Sequence, residues 1–447
     1  MPSNITEKIR AAVGKAKSAK SRRWSLNVVL STADQGLFSG ANFLSAIILA
    51  KAVSPDEYGA YSIGFGIYLI FTSFYTSLVL EPISVLGWNL SSGLGTLRYL
   101  YRLGVFHLVL TVPLTVGLYV SSLFGGKLGP VLKMTALTFP FALLIWAIRR
   151  LAYVYSKPMA ACICSTVYCV CLLGSMEVLK MRGQLSAAAL FACMAFAAIV
   201  ASVPGLAVTL SHKSGTSEDT GAPVPSLFRQ HWHFGKWLVI SSFMGTLATQ
   251  AQYFLSAAFL DLKSAGVLRA MMNFTLPPMQ VVQAVSILAL PTMSRKYDSG
   301  NYKDFQRAGH IVALGLTAGT LVFELFVFVF RNNLSTIAYG NKYPGYSLLI
   351  PIFGILAVMQ GLGAYSLVIR AMRRSAATML VAGAGLLCVL ILTAPATKLF
   401  GVYGTAWSTV ISNSATALVS YWLATRYVVE LSKRSTRTTN LATARSE

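Results

Sequence analysis

The sequence predicts an all-α integral membrane protein of about 12 transmembrane helices, built as two six-helix lobes related by a pseudo-twofold along the membrane normal around a central cavity. Three observations predict it. About twelve apolar stretches are long enough to cross a bilayer, for which roughly 18 or more apolar residues suffice. Charged residues make up only 11% of the chain and hydrophobic ones 55%, with a mean hydropathy of +0.62; a soluble domain carries about 25% charged residues. Lysines and arginines fall almost entirely in alternate gaps between the stretches.

The spans run at about 26–50, 60–86, 103–124, 131–153, 158–179, 185–210, 234–258, 265–291, 310–330, 347–369, 376–395 and 401–425. A basic arm, 1–25, precedes them with Lys8, Arg10, Lys15, Lys17, Lys20, Arg22 and Arg23, suited to an anionic leaflet at about 1 kcal/mol per charge. The first span is too long for a signal-peptide core and lacks a cleavage site after it, so it is expected to be retained. The loop 211–233, rich in Ser, Thr, Gly and Pro, separates an N-lobe of 26–210 from a C-lobe of 234–425, and a basic tail, 426–447, follows. About 27 basic residues lie on the side of the N-terminus and about 10 on the other, which places both termini in the cytoplasm of a bacterial inner membrane. Pairs such as Arg149–Arg150, Arg295–Lys296 and Arg373–Arg374 mark the cytoplasmic gaps. The net charge of +23 is thus orientation and anchoring, and no nucleic-acid partner is expected.

The halves read as distant copies. A shift of about 207 places Gly59 on Gly266 and Ser92–Gly93 on Ser299–Gly300, and brings Arg102 near Arg307. The six cysteines all fall inside spans without histidines at metal-ligand spacing, so they read as small packing residues. No GxxxxGK[ST], HExxH or GxSxG is present, and no loop is long enough for the extramembrane platform of a glycosyltransferase or polymerase. A transporter is expected, not an enzyme.

The segment Ala50-Lys-Ala-Val-Ser-Pro-Asp-Glu-Tyr-Gly-Ala-Tyr61, Glu81–Pro82 late in span two, Leu290-Pro-Thr-Met-Ser-Arg295 and Tyr339-Gly-Asn-Lys-Tyr343 together resemble, in order and on a six-plus-six layout, the bacterial polysaccharide flippases of the multidrug/oligosaccharidyl-lipid/polysaccharide exporter superfamily. The resemblance implies a translocase that flips undecaprenyl-diphosphate-linked oligosaccharide repeat units by alternating access, for exopolysaccharide, capsule or O-antigen. It implies the polyprenyl-diphosphate oligosaccharide and the lipid bilayer as partners, with a polysaccharide polymerase and chain-length machinery beside them. No cofactor is implied beyond a coupling proton or sodium ion. The family's lipid II flippases carry cations in the central cavity, whereas this chain has Asp34–Gln35 in span one, so a cationic patch must come from elsewhere. An ion-coupled multidrug or metabolite antiporter of the same fold is the alternative, and a membrane polymerase a more distant one.

Charges at membrane depth cost about 2.5–3.5 kcal/mol each and usually face a cavity or a partner. Asp34 lies roughly 12 Å and Glu81 roughly 8 Å from the cytoplasmic end of their spans at helical rise, so they could share a proton or sodium ion, or each could pair with a nearby arginine. Glu324, past the middle of span nine, is a third ion-coupling candidate, with packing as its alternative. Pro82 frees a carbonyl one turn earlier and is placed to kink span two. Arg269 begins span eight on the outer side with Asn273 and Gln280 on the same face; there it either grips a diphosphate or snorkels to the interface. Gln250 and Gln252 of span seven, and Gln35, are placed to bond sugar hydroxyls or neighbouring helices. Arg149 and Arg150 end span four where a diphosphate headgroup would first arrive, or anchor the interface. Glu177, Lys51 and Lys398 read as outer anchors.

Overall fold

Runs of Leu, Ile, Val, Ala and Phe without ionisable interruptions leave the backbone no partner but itself in lipid, and a helix satisfies its N–H and C=O groups internally. A computed structural model describes residues 3–94, 96–210 and 224–443, and no strand occurs among them. The helices are α1 (Ser3–Ala52), α2 (Pro55–Tyr75), α3 (Glu81–Leu94), α4 (Thr96–Leu123), α5 (Gly129–Val154), α6 (Pro158–Met181), α7 (Ala187–Leu210), α8 (Val224–Phe259), α9 (Leu262–Met272), α10 (Leu276–Asp298), α11 (Tyr302–Tyr339), α12 (Leu349–Leu362), α13 (Ser366–Ala371) and α14 (Ser375–Thr443). A π-helical turn, Thr76–Leu80, joins α2 to α3, and 3₁₀ turns, Asn273–Thr275 and Gly363–Tyr365, join α9 to α10 and α12 to α13. The helix α14 breaks at Gly401 (φ 59°, ψ −141°). Each of the twelve expected spans falls on this helical framework, with spans two, eight and ten each crossing a local break. Among the described residues, eight helical stretches are long and apolar enough by themselves to cross a bilayer.

Two departures from expectation concern the connections. Of the expected loop 211–233, residues 211–223 lie outside the described residues, while the rest forms the first turns of α8. Pro225 stands at the start of that helix, where a missing N–H costs nothing, and Leu227 and His231 are buried at the spacing of one turn. The tail continues as α14 to Thr443, and residues 444–447 lie outside the described part, as do the side chains of the N-terminal basic arm.

The helices form two compact units, one of Met1–Ile48 with Tyr75–Lys236 and one of Leu49–Phe74 with Trp237–Glu447. In the first, α5 is central and packs against α3, α4, α6 and α7; in the second, α12 lies between α11 and α14, and α10 packs on α11 and α13. The segment Leu49–Phe74 joins the second unit, not the rest of its own half, because α2 crosses α9 at very short range. A Cβ added at Gly59 would meet the Leu262 carbonyl oxygen, and one added at Gly266 would meet that of Pro55. Pro55 and Leu262, like Gly59 and Gly266, are equivalent under the shift of about 207, so the contact is reciprocal, as a twofold between duplicated helices requires. Lys51 Nζ donates to the Ile337 carbonyl at 3.2 Å and Lys342 Nζ to that of Val53 at 2.9 Å, fastening the α1–α2 hairpin to the end of α11.

The π-helical turn sits where Pro82 forbids an ordinary helix. Without an N–H, Pro82 leaves the Leu78 carbonyl one turn earlier free, and His231 Nδ1 lies 2.9 Å from it. A carbonyl only accepts, so His231 carries its proton on Nδ1. Gly235, one turn further along α8, lets the helix approach the same break, for a Cβ there would come within 2.5 Å of the Ser77 carbonyl oxygen.

Gly59→Ala or Gly266→Ala is expected to destabilise the folded protein by about 1–3 kcal/mol or more through overpacking. Gly117→Ala, which meets nothing within 4 Å, is expected to be neutral or slightly stabilising. Thermal unfolding of the three variants in detergent checks this.

Candidate functional site

In the first unit, α1 presents Asp34 to α5 and α6. Arg149 Nε donates to Asp34 Oδ1 at 3.0 Å and Arg149 Nη2 to Oδ2 at 2.9 Å, the two-pronged geometry that a guanidinium offers a carboxylate. Tyr153, one turn beyond Arg149, donates to Oδ2 at 2.5 Å, and Ser165 of α6 donates to Oδ1 at 2.5 Å. Asp34 is 1% and Arg149 4% exposed. The guanidinium carbon lies 4.1 Å from the Phe38 ring centre and 5.5 Å from that of Trp146. Both charges are therefore matched inside the unit, and Arg149 is a buried partner instead of an interface anchor.

Asp34 and Glu81 each lie beside an arginine of their own, the alternative to a shared ion. Consecutive arginines leave a helix about 100° apart, and Arg150 reaches the other acid, lying 3.8 Å from Glu81 with both side chains partly exposed. A pair in that setting contributes little to stability. Gln35 is exposed and donates to Ser39 Oγ at 3.0 Å within its own helix.

The second unit holds a different cluster. Asp261 caps α9 by accepting from the Ser264 backbone N–H at 2.7 Å, and the helix delivers Arg269 and Asn273 to the interior one turn apart. Asn273 Nδ2 donates to the Tyr58 hydroxyl at 2.9 Å and to that of Tyr339 at 3.2 Å, and the Tyr339 hydroxyl donates to the Ala270 carbonyl at 2.8 Å. Tyr343 packs edge-on against Tyr339 at 5.3 Å, and Tyr58 stacks on Tyr61 at 5.5 Å. Two of the segments that carry the family resemblance, Ala50–Tyr61 and Tyr339–Tyr343, thus meet around Asn273.

Arg269 is 9% exposed and does not snorkel. Its guanidinium carbon lies 4.8 Å from the Phe65 ring centre and 5.3 Å from that of Tyr253. The Tyr253 hydroxyl donates to Met272 Sδ at 2.9 Å. Among the described residues no carboxylate pairs with Arg269. Its Nε–H, Asn273 Oδ1, Gln250 Oε1 and the Tyr343 hydroxyl are all buried without a hydrogen-bond partner. Gln252 is taken up by packing, accepting from Thr409 at 2.9 Å and donating to Met272 Sδ at 3.3 Å.

Gln280 does not join Arg269 and Asn273. Pro277 and Pro278 remove two successive backbone donors, the chain takes the 3₁₀ turn Asn273–Thr275, and the expected common face is lost; Gln280 is exposed on α10. Glu324 of α11 is buried, with neither carboxyl oxygen hydrogen-bonded. Tyr153 and Ser165, which complete the Asp34 site, and the tyrosines around Arg269 are absent from the sequence-derived candidates. One signal was present: Tyr58, Tyr61, Phe65 and Tyr68 recur at intervals of three and four, the spacing of one helix face.

No protein-family model matches the sequence, and no curated protein matches it. Solved structures do. An inward-facing multidrug resistance MATE family transporter of the MOP superfamily superposes with a TM-score of 0.70 at 12% identity, covering 91% of this chain and 99% of its own. The lipid II flippase MurJ in an inward closed conformation gives 0.67 at 14% identity, covering 91% of this chain and 90% of its own. The Vibrio cholerae MATE transporter VcmN gives 0.62 at 13% identity, with 93% and 98% covered. The chain has the fold of the MOP-superfamily transporters. Within this MOP fold, the first-span acid is bound to a buried arginine, and among the described residues the eighth-span arginine has no acid partner.

Asp34→Asn is expected to leave Arg149 as an uncompensated buried charge and to cost about 3–5 kcal/mol, whereas Asp34→Leu combined with Arg149→Met recovers most of that loss. Unfolding midpoints of the single and double variants in detergent measure it.

Proposed function

We propose that the protein is a bacterial inner-membrane transporter, not an enzyme, that flips polyprenyl-diphosphate-linked oligosaccharide repeat units by alternating access, supplying exopolysaccharide, capsule or O-antigen synthesis. One observation carries this reading: a guanidinium buried among aromatic rings, with an N–H unused and, among the described residues, no carboxylate paired with it. Neutral rings stabilise such a cation by about 2 kcal/mol when it is desolvated, but they do not neutralise it. A diphosphate does, through charge-assisted and bidentate hydrogen bonds. Asn273, Gln250 and the tyrosine hydroxyls add donors and acceptors suited to sugar hydroxyls. The resemblance to a lipid II flippase in fold agrees with a lipid-linked anion as cargo.

The multidrug transporters of the same fold support the rival reading, a drug or metabolite antiporter. Against it stands the state of Asp34: an acid already gripped by Arg149, Tyr153 and Ser165 has little left for a cationic drug. Arg150 lies beside Glu81 and Gln280 is exposed on α10, so neither is assigned to the cargo; polymerase and chain-length proteins are the partners this role calls for.

In proteoliposomes loaded with a fluorescent short-chain polyprenyl-diphosphate sugar, Arg269→Gln is expected to slow transbilayer movement by about 10- to 100-fold, the worth of a charge-assisted hydrogen bond or two, while Arg150→Gln changes it little. Unaltered movement in Arg269→Gln sinks the assignment of that residue. Efflux of a cationic dye without movement of the lipid-linked sugar favours the antiporter.

A further inference from the structure

Two acidic side chains are buried among the described residues, and they are opposites. Asp34 receives four hydrogen bonds, two of them from a guanidinium. Glu324, 7% exposed, receives none at either oxygen. It lies on the inward stripe of α11, in line with Phe305, Gly309, Ala313, Leu316, Thr320 and Val327. The neighbouring Leu321, Val322, Leu325 and Phe326 form the outward apolar face.

The carboxyl sits in a notch. Across from it on α12 is Gly354, where a Cβ would stand 2.9 Å from Glu324 Oε2 and 3.4 Å from Cδ, so the missing side chain makes the room. The helix α12 carries no ionisable residue. Thr320, one turn away on α11, donates instead to the Leu316 and Thr317 carbonyls, at 2.9 Å each. The charged groups of the surrounding elements are engaged or remote. His310 lies about 21 Å down the helix, 2.6 Å from the Tyr365 hydroxyl. Arg331, about 10 Å along the helix in the other direction, donates to the Phe328 carbonyl at 3.0 Å. On α10, Arg295 and Lys296 stand in the last turn beside Tyr297 and Asp298, Asp298 is paired with Arg373, and Arg370 is in the last turn of α13. On α14, Lys398 covers the Phe259 ring, Arg374 lies before the helix over Tyr427, and Arg426 pairs with Glu430. None of these charges forms an ion pair with Glu324.

An ionised carboxylate in such a place has neither counter-ion nor donor, and a group so placed takes up a proton instead of bearing that desolvation cost. A sodium ion would need several oxygen ligands around it, as hard cations do, and here the carboxyl offers only its own two. We propose that Glu324 is the proton-carrying site of this transporter, loaded while α11 and α12 are closed over it and emptied when water reaches the seam at Gly354. The inference deepens the transport reading above and rests on it only for the use made of the proton, because loading can be read without any substrate.

The experiment is carbodiimide labelling of the full-length protein in proteoliposomes, using dicyclohexylcarbodiimide, which adds to protonated carboxyl groups in apolar surroundings. Mass spectrometry is expected to find the adduct on Glu324 and not on Asp34, with labelling falling about tenfold per pH unit above its midpoint, as one titrating proton requires. Glu324→Gln, close in size and already neutral, is expected to fold, to lose that adduct, and to move the lipid-linked sugar without acceleration by an imposed pH gradient. A folded protein in which Glu324 stays unlabelled, or labels equally at all pH values, overturns the proposal. So does a Glu324→Gln variant that keeps its full response to the gradient. If neither protein moves the lipid-linked sugar, the substrate reading falls and the labelling alone decides for or against Glu324.

Discussion

Arg149 and Asp34 meet in a two-pronged ion pair that joins α1 to α5, and Ser165 extends the junction to α6. Taking both ions out of water costs several kcal/mol each, and only close geometry with further donors returns it. Tyr153 and Ser165 supply those donors, while Phe38 and Trp146 cover the guanidinium. The packing of three helices is thereby tied to one carboxylate. The same rule explains what is unusual elsewhere. Where a buried ion has a complete set of partners it serves the structure; among the described residues Arg102, Arg269 and Glu324 each keep a buried polar atom without a hydrogen bond, and the last two are the groups with chemistry left over.

Backbone groups obey a parallel rule. Pro82 and Pro277–Pro278 stand where a π-helical and a 3₁₀ turn interrupt the α-helical ladder, and both breaks lie beside residues of interest. At the first, the freed Leu78 carbonyl is met by His231 from α8. At the second, the 3₁₀ turn holds Asn273 where it bridges Tyr58 and Tyr339. In lipid an unmet carbonyl is costly, so the first break recruits a partner from another helix and becomes a fixed junction.

Composition and charge pattern made the helical membrane fold legible, because span length and the siting of Lys and Arg follow from bilayer thickness and interfacial charge alone. The site was legible only in part. Arg269, Asn273, Asp34 and Glu324 announced themselves as polar groups at membrane depth. Their partners did not. Nothing local in the chain says that Arg149 turns inward while Arg150 stays near the surface, since both stand at a helix end; the difference is one of rotation about α5. Gln280 shares a face with Arg269 and Asn273 only on a continuous helix, and Pro277 and Pro278 end that continuity. The tyrosines do not stand out in the sequence because aromatic residues are common in an apolar span, and only the fold brings Tyr58 and Tyr339 to the same amide.

The crossing of α2 and α9 is made by the same residues on both sides: Pro55 and Gly59 against Leu262 and Gly266. A surface that fits a copy of itself needs no second sequence, so a chain of half this length could form the same seam as a homodimer. In such an ancestor any change at the glycine would fall on both faces of the seam at once, and a single bulky residue would be felt twice. Joining the copies into one chain frees the two positions to change separately. In this chain both are still glycine.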